Sequence, residues 1–256
     1  MAKTNSMPVS EVRLSSESGG VAAYLIRASN ARGTLVCLHG GPSGDFHGNE
    51  EIFDQVASYA PSAGFNVLQF DMFGAGASEG EPADITLETQ LHDYRAAFAY
   101  AYAELERPVH VIGESMGATV AALDWSLPAA TYVLLWPAFD LRDTDLKPYL
   151  EPRWMAEAKE SGRIEDDGIV LGSAFLEELG TFDFGPCFQL PDRRCLLVHG
   201  KRDVAVPFEQ SLRAVREAKG ECVLFAYPEG GHGLQRPDER VFTHEAIRWW
   251  LGQRNS

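Results

Sequence analysis

Hydrophobic and polar positions in this chain follow two different periods, and the alternation between them sets out its elements. Residues 34–38, 65–70, 109–112, 132–136, 195–198 and 222–227 are short, largely unbroken apolar runs rich in β-branched and aromatic residues. Such runs predict strands, and the continuous run 34–38, bounded by glycines, one covered on both faces. Residues 11–14 and 21–26 flank the turn-rich Ser15-Ser-Glu-Ser-Gly-Gly20 and predict an opening hairpin. Apolar residues recur at helical spacing over 50–59, 87–105, 118–123, 207–219 and 238–251. Strands alternating with helices imply right-handed crossovers, hence an α/β protein with a mostly parallel sheet between two helical layers.

One stretch breaks this rhythm. Trp136 and Cys195 are separated by far more chain than the usual connection of ~2–6 residues. Within it, 153–159 and 173–179 read as helices, and 164–170 as a small hairpin on Asp167-Gly168. The expectation is a core domain from 1–137 and 187–256, with 138–186 inserted as a cap over the C-terminal edge of the sheet.

Composition narrows the partners. A hydrophobic content of 45% supplies a large core, and a formal net charge of −15 repels nucleic acid and anionic membrane. No apolar run approaches the ~18 residues of a membrane span, and Met1 to Pro8 contains no signal-peptide core. Cys37, Cys187, Cys195 and Cys222 form no C-x-x-C pair and sit mostly in apolar runs, as buried free thiols do in a reducing compartment. A soluble, cytoplasmic protein acting on a small molecule is expected, with a homodimer left open.

The candidate chemistry begins at Gly113-Glu-Ser-Met-Gly117, where a β-branched run meets a small-residue helix. A serine on so sharp a turn exposes its hydroxyl, and glycines on either side avoid a clash. Serine alone is a poor nucleophile and needs a base. Of seven histidines, His232 lies in the glycine-rich Glu229-Gly-Gly-His-Gly233 between a strand and the last helix, where a ring could reach Ser115. His47, in the loop after the third strand, is the alternative. His92 and His244 fall in helices and His110 in a strand, while His39 and His199 each end a strand before glycine, so packing or turn roles are expected of them. The base needs a carboxylate partner. Asp203, in the loop after strand 195–198, is in the right position, and Asp140, which follows the preceding strand, competes with it. Two N–H groups should receive a developing oxyanion: Met116, next to the serine, and Gly41 in His39-Gly-Gly-Pro-Ser-Gly44.

Taken with Leu38-His-Gly-Gly-Pro42 and Asp71-Met-Phe-Gly-Ala-Gly-Ala-Ser-Glu-Gly80, these segments resemble the α/β-hydrolases over nearly the whole chain. Within that superfamily the chain is similar to the capped branch of monoacylglycerol lipases, serine-aminopeptidase-like hydrolases and cinnamoyl/feruloyl esterases. Leu134-Leu-Trp-Pro-Ala-Phe-Asp-Leu141 with a compact insertion is most like the last group, and Glu114 stands where the lipases often carry histidine. The resemblance implies the α/β-hydrolase fold, a Ser115–Asp203–His232 triad and no cofactor or metal. It also makes the Asp71 loop a structural element below the active-site edge; its glycine spacing is not that of a dinucleotide-binding loop.

Aromatic residues crowd the insertion and its borders, and Trp136, Phe139, Trp154 and Phe175 are candidates for the substrate pocket, each with a core role as the alternative. The first expectation is a carboxylesterase for neutral, partly aromatic esters. The same groups would serve a thioester, amide or C–C bond, and a non-catalytic ligand-binding protein on this fold is a third reading.

Overall fold

The computed structural model describes residues 8–42 and 44–253. Residues 1–7, most of the segment without a signal-peptide core, and Ser43 of the glycine loop lie outside them. Strands β1 (Val9–Ser15) and β2 (Gly20–Ile26) form the opening hairpin. They are followed by β3 (Gly33–Leu38), α1 (Ile52–Tyr59), β4 (Phe65–Phe70), α2 (Leu87–Glu104), β5 (Val109–Glu114), α3 (Met116–Ala122) and β6 (Thr131–Leu135). The segment after β6 contains α4 (Pro152–Ser161), β7 (Arg163–Asp166), β8 (Ile169–Gly172) and α5 (Ser173–Thr181). The chain then returns to the sheet through β9 (Arg194–Gly200), α6 (Phe208–Glu217), β10 (Cys222–Tyr227) and α7 (Pro237–Gly252).

Eight strands form one sheet in the order β1-β2-β4-β3-β5-β6-β9-β10. The β1–β2 and β2–β4 pairs are antiparallel; from β4 to β10 every pair is parallel. This is the α/β-hydrolase fold. The unbroken apolar runs follow from double coverage, because alternate residues of each strand enter different cores. Leu35, Cys37, Ile112, Val133, Leu196 and Val198 pack with residues of α1 and α7. Val36, Leu38, Val111, Tyr132, Leu134 and Leu197 pack with residues of α2 and α3. Fully burying one such side chain contributes ~1.5–3 kcal/mol, so the central strands anchor everything above them.

β7 and β8 pair only with each other, as a hairpin whose turn residues Asp167 and Gly168 both have positive φ (47° and 80°). That pair of angles is the twist-matched two-residue turn expected of Asp-Gly. Phe139, Leu141, Phe175, Leu176, Leu179 and Phe184 from this segment join the same apolar cluster as α2 and α3. The segment is therefore packed down onto the sheet's helical layer. Among the described residues, no helix is long and apolar enough to cross a membrane.

Burial holds the thiols protonated, with Cys187 pushed up to about 12 and Cys222 to about 11, and all four cysteines are unpaired.

Candidate active site

Ser115 occupies the single-residue junction between β5 and α3, with φ 49° and ψ −118°. A non-glycine residue in this region is strained and persists only where its surroundings fix it. Here the Ser115 N–H donates to the Leu135 carbonyl at 2.9 Å, and its own carbonyl accepts from Ala118 and Ala138 at 3.1 and 3.2 Å. Close packing explains the neighbouring glycines. A Cβ on Gly117 would stand 2.2 Å from the Leu38 carbonyl oxygen, and one on Gly40 would stand 2.9 Å from the Ser115 Cβ. The turn is thus pressed against the end of β3 and the loop that follows it.

His232 Nε2 lies 3.1 Å from Ser115 Oγ, and His232 Nδ1 lies 2.8 Å from Asp203 Oδ2. The sheet order explains the convergence: β5, β6, β9 and β10 are adjacent and parallel, so the loops after β5, β9 and β10 leave the same edge. The His232 loop is held in place by Arg202, whose N–H donates to the Gly230 carbonyl at 2.9 Å.

The Asp203 side chain is fully buried. Burial alone would raise its carboxyl pKa, but bonds from His199 and His232, the charge of His232 and the Val206 N–H outweigh this and hold it far below the usual carboxylate range. Its Oδ1 accepts from the Ala205 and Val206 N–H groups at 2.9 and 2.8 Å. Asp140 is committed elsewhere. It receives Arg142 Nε and Nη2 at 3.0 and 2.9 Å and caps the Arg142 N–H. His47 is likewise engaged, its Nδ1 2.5 Å from Asp54 Oδ2.

A cavity of about 400 Å³ opens over Ser115 and His232. Gly41 and Met116 both stand on its wall beside the serine. Ala138, Leu141, Leu146, Ile169 and Val206 supply apolar surface, and Asp45, Glu114 and Asp145 supply carboxylates; none of the described lining residues is Lys or Arg. Asp145 is exposed at the cavity, and desolvation, reinforced by nearby Asp203, raises its carboxyl pKa despite the opposing effect of His232. Among the described residues, no group of three or more His, Cys, Asp or Glu side chains is placed to hold a metal ion.

None of the four aromatics expected at the substrate pocket lines this cavity. Trp136 is fully buried, with φ 38°, and donates its indole N–H to Glu114. Phe139 packs on Phe188, Phe175 is buried in the core, and Trp154 packs against Tyr149. The insertion's largest apolar side chains are used in packing it against the helical layer of the sheet. The smaller aliphatics are left to face the cavity.

The Asp71 loop also differs from expectation. It leaves the C-terminal end of β4, which runs parallel to β3, so it stands at the same edge as Ser115 rather than below it. Asp71 receives the Phe46 and Ala77 N–H groups at 2.9 and 2.8 Å, tying that loop to the segment before α1. The buried His39 accepts the Met72 N–H on Nε2 at 3.0 Å, which bridges the same two regions.

Two residues have roles that sequence did not reveal. His199 is buried against Asp203, and Glu114 is buried directly beneath the nucleophile turn. A charged residue between Gly113 and Ser115 at the end of a buried strand was the available signal for Glu114.

A mostly parallel sheet with a strained strand-to-helix serine at its C-terminal edge is the architecture of the α/β-hydrolase class. The chain belongs to the alpha/beta hydrolase family, whose consensus matches residues 35–243. Three solved structures illustrate the likeness. Est1E from Butyrivibrio proteoclasticus, with ferulic acid bound, is 23% identical over 94% of this chain and 98% of that one, with a TM-score of 0.77. The alpha/beta hydrolase GrgF from Penicillium sp. sh18 is 17% identical over 95% and 99% of the two chains, at a TM-score of 0.76. The Pyrococcus furiosus esterase Pf2001 is 21% identical over 96% and 92%, at 0.70. No curated protein matches the chain.

Proposed function

We propose that this protein is a serine hydrolase that cleaves a small to medium carboxylic ester through an acyl-enzyme on Ser115. The observation carrying this reading is the continuous run from Ser115 Oγ to His232 Nε2 at 3.1 Å and from His232 Nδ1 to Asp203 Oδ2 at 2.8 Å. An ionised carboxylate can only accept, so the ring proton sits on Nδ1 and the Nε2 lone pair faces the serine hydroxyl.

His232 Nε2 takes the Ser115 proton as Oγ attacks the ester carbonyl. The negative charge that develops on the carbonyl oxygen is received by the backbone N–H groups of Gly41 and Met116, an effect worth roughly 2.7–4 kcal/mol per donor. Collapse of the tetrahedral adduct breaks the bond to the alcohol, which leaves with the proton from His232. Water then gives a proton to His232 and attacks the acyl-enzyme, and Ser115 is released with that proton.

The cavity, about 400 Å³, is near the lower end of ligand pockets, which run from ~300 to ~1,000 Å³. Its aliphatic walls suit an apolar or aromatic acyl group, and the ferulic acid bound to Est1E supports an aryl component. Lining carboxylates at Asp45 and Asp145 oppose a second negative charge on the substrate. Residues 138–186 act as the cap in this reading, since Leu141, Thr144, Asp145, Leu146 and Ile169 form one wall of the cavity.

A fluorophosphonate probe should label the native protein at Ser115, and a panel of matched esters, thioesters and amides should give its highest kcat/KM with an ester. Labelling or hydrolysis that survives Ser115→Ala would overturn the assignment of the nucleophile. A folded wild-type protein that neither labels nor hydrolyses would instead support a ligand-binding protein.

A further inference from the structure

We propose that Glu114 is a positioning residue that fixes the oxyanion-binding loop relative to the nucleophile. This deepens the esterase reading above and rests on it. Glu114 ends β5, shares a peptide bond with Ser115 and is 1% exposed. Its Oε1 accepts the Gly40 N–H at 3.1 Å and the Asn49 N–H at 2.7 Å, and its Oε2 accepts the Trp136 indole N–H at 3.2 Å.

These donors come from three separate segments: the loop after β3, the segment leading into α1 and the residue following β6. All three are neutral N–H groups, and bonds of this kind to a carboxylate are about twice as strong as neutral ones. Without them a buried carboxylate would carry a desolvation cost of several kcal/mol. The charge therefore draws the three segments together beneath the cavity. Arg240 adds a brace from α7, donating to the Asn49 carbonyl at 3.1 Å while its guanidinium stands 5.8 Å from the Trp136 ring centroid.

The consequence for chemistry lies at Gly40 and Gly41. Because the Gly40 N–H is committed to Glu114, it is withdrawn from the oxyanion and its peptide plane is fixed. The Gly41 N–H belongs to the very next peptide plane, so anchoring the Gly40 amide fixes the start of the one-residue link that aims it. An oxyanion donor must be aimed before the charge develops, and misaiming it weakens binding of the transition state more than that of the ester. Glu114 touches no reacting atom in this scheme. It acts through Gly40.

Glutamine cannot substitute for it. Its amide has one oxygen and one NH2, so either the Gly40 and Asn49 donors or the Trp136 donor must face another donor. Trp136→Phe removes the conflict on one side, which allows the glutamine oxygen to accept from Gly40 and Asn49 while its NH2 faces the ring.

The test compares steady-state kinetics of wild type, Glu114→Gln, Glu114→Asp and Glu114→Gln/Trp136→Phe on one neutral aryl ester, together with inhibition by a trifluoromethyl ketone, which forms a charged tetrahedral adduct on serine. For Glu114→Gln the expected result is a fall of about 10- to 100-fold in kcat with KM held within about twofold, and a matching loss of ketone affinity. The double variant should recover part of kcat despite the cavity that Phe leaves. If Glu114→Gln does not fold, Glu114→Asp, whose shorter arm cannot reach all three donors, should show the same kcat loss at constant KM. Wild-type kcat in the folded variants overturns the proposal, as does a double variant worse than the single. Both results leave the esterase reading intact; that reading fails instead if the wild type neither labels nor turns over an ester, or if Ser115→Ala retains labelling or turnover.

Discussion

The buried His199 shares Asp203 with the His232 ring: its Nε2 stands 3.1 Å from the same Oδ2 that receives His232 Nδ1 at 2.8 Å. On its other side His199 Nδ1 is 2.8 Å from Ser211 Oγ, and its Nε2 is also 3.2 Å from the Val206 carbonyl. With Asp203 held ionised, His199 donates from Nε2, and Nδ1 is left to accept the Ser211 hydroxyl proton. One carboxylate oxygen therefore serves two imidazoles. His199→Phe should concentrate the Asp203 charge on His232 and move the acid limb of the kcat/KM profile to higher pH. A profile that falls in height without moving would show that His199 only fills space.

The two candidate acids make opposite predictions. Asp203→Asn replaces the acceptor that fixes the His232 tautomer, and a loss of about 10⁴-fold in kcat is expected, the size of the effect when the same exchange is made in a chymotrypsin-like triad. Asp140→Asn loses its bidentate bond to Arg142 beside α6 and should keep activity within about threefold, a range set by the modest worth of a partly exposed ion pair. Steady-state kinetics of the two variants decide between them, and a larger loss for Asp140→Asn would reverse the assignment.

Glycines in similar contexts should behave oppositely. Gly117→Ala drives a Cβ to 2.2 Å from the Leu38 carbonyl oxygen and 2.5 Å from that of His39, both backbone atoms that cannot step aside. Destabilisation of about 1–3 kcal/mol or more is expected, together with loss of fluorophosphonate labelling as the turn shifts. Gly180, within α5, faces open space: a Cβ added there would meet nothing within 4 Å. Gly180→Ala should raise stability by up to about 1 kcal/mol. Urea unfolding of the two variants measures both effects, and equal behaviour would contradict the packing account.

Much of this architecture is readable from the chain because it depends on local pattern. Double-faced burial writes strands such as 34–38 and 195–198 as unbroken apolar runs, and adjacent parallel strands carry their following loops to one edge. The grouping of Ser115, Asp203 and His232 follows from that order. What remained hidden depends on contacts that periodicity does not encode. An apolar pattern marks Trp136, Phe139, Trp154 and Phe175 as buried but is silent on whether they face a cavity or one another. His199 reads as a turn residue because it ends a strand before glycine, and that placement does not show that its ring meets Asp203. Glu114 takes its three donors from distant segments, and no spacing rule joins them.

Acid should weaken the fold from the side opposite the cavity as well as at Asp203. Burial, with Arg32 and Arg194 adding to it, lowers His110 to about 4, and burial with Arg240 and Arg248 lowers His244 to about 4. The ordinary histidine value is near 6.5, so between these limits the unfolded chain binds more protons than the folded one. Stability should therefore be fully present above pH 6.5 and fall as pH drops towards 4, by up to about 1.4 kcal/mol per pH unit for each residue. Asp203 acts in the same direction below the ordinary carboxylate range, because its folded value is depressed. His110 packs edge-on to Phe65, with ring centroids 5.5 Å apart, and its Nδ1 has no partner among the described residues. His110→Phe should flatten part of the slope in urea titrations between pH 7 and 4.5, and an unchanged slope would remove His110 from the account.

Charge on the substrate provides the last discriminating measurement. Asp145 stands at the cavity, with its N–H donated to the Ala205 carbonyl at 2.9 Å, next to the turn that carries Asp203. A carboxylate on the acyl group would enter a space lined by Asp45, Glu114 and Asp145 with no Lys or Arg among the described lining residues. Unit charges about 4 Å apart at an effective dielectric near 20 repel by ~4 kcal/mol, and screening in an open cavity reduces this severalfold. A matched pair of aryl esters, one bearing a carboxylate on the acyl chain and one its methyl amide, should therefore differ by about 10- to 100-fold in kcat/KM, in favour of the neutral ester. Asp145→Asn should narrow that ratio by raising the rate on the anionic ester while leaving the neutral one near wild type, and the gap should also shrink with added salt. Equal rates on the two esters, or a ratio unaffected by Asp145→Asn, would mean that the acyl group lies away from this wall.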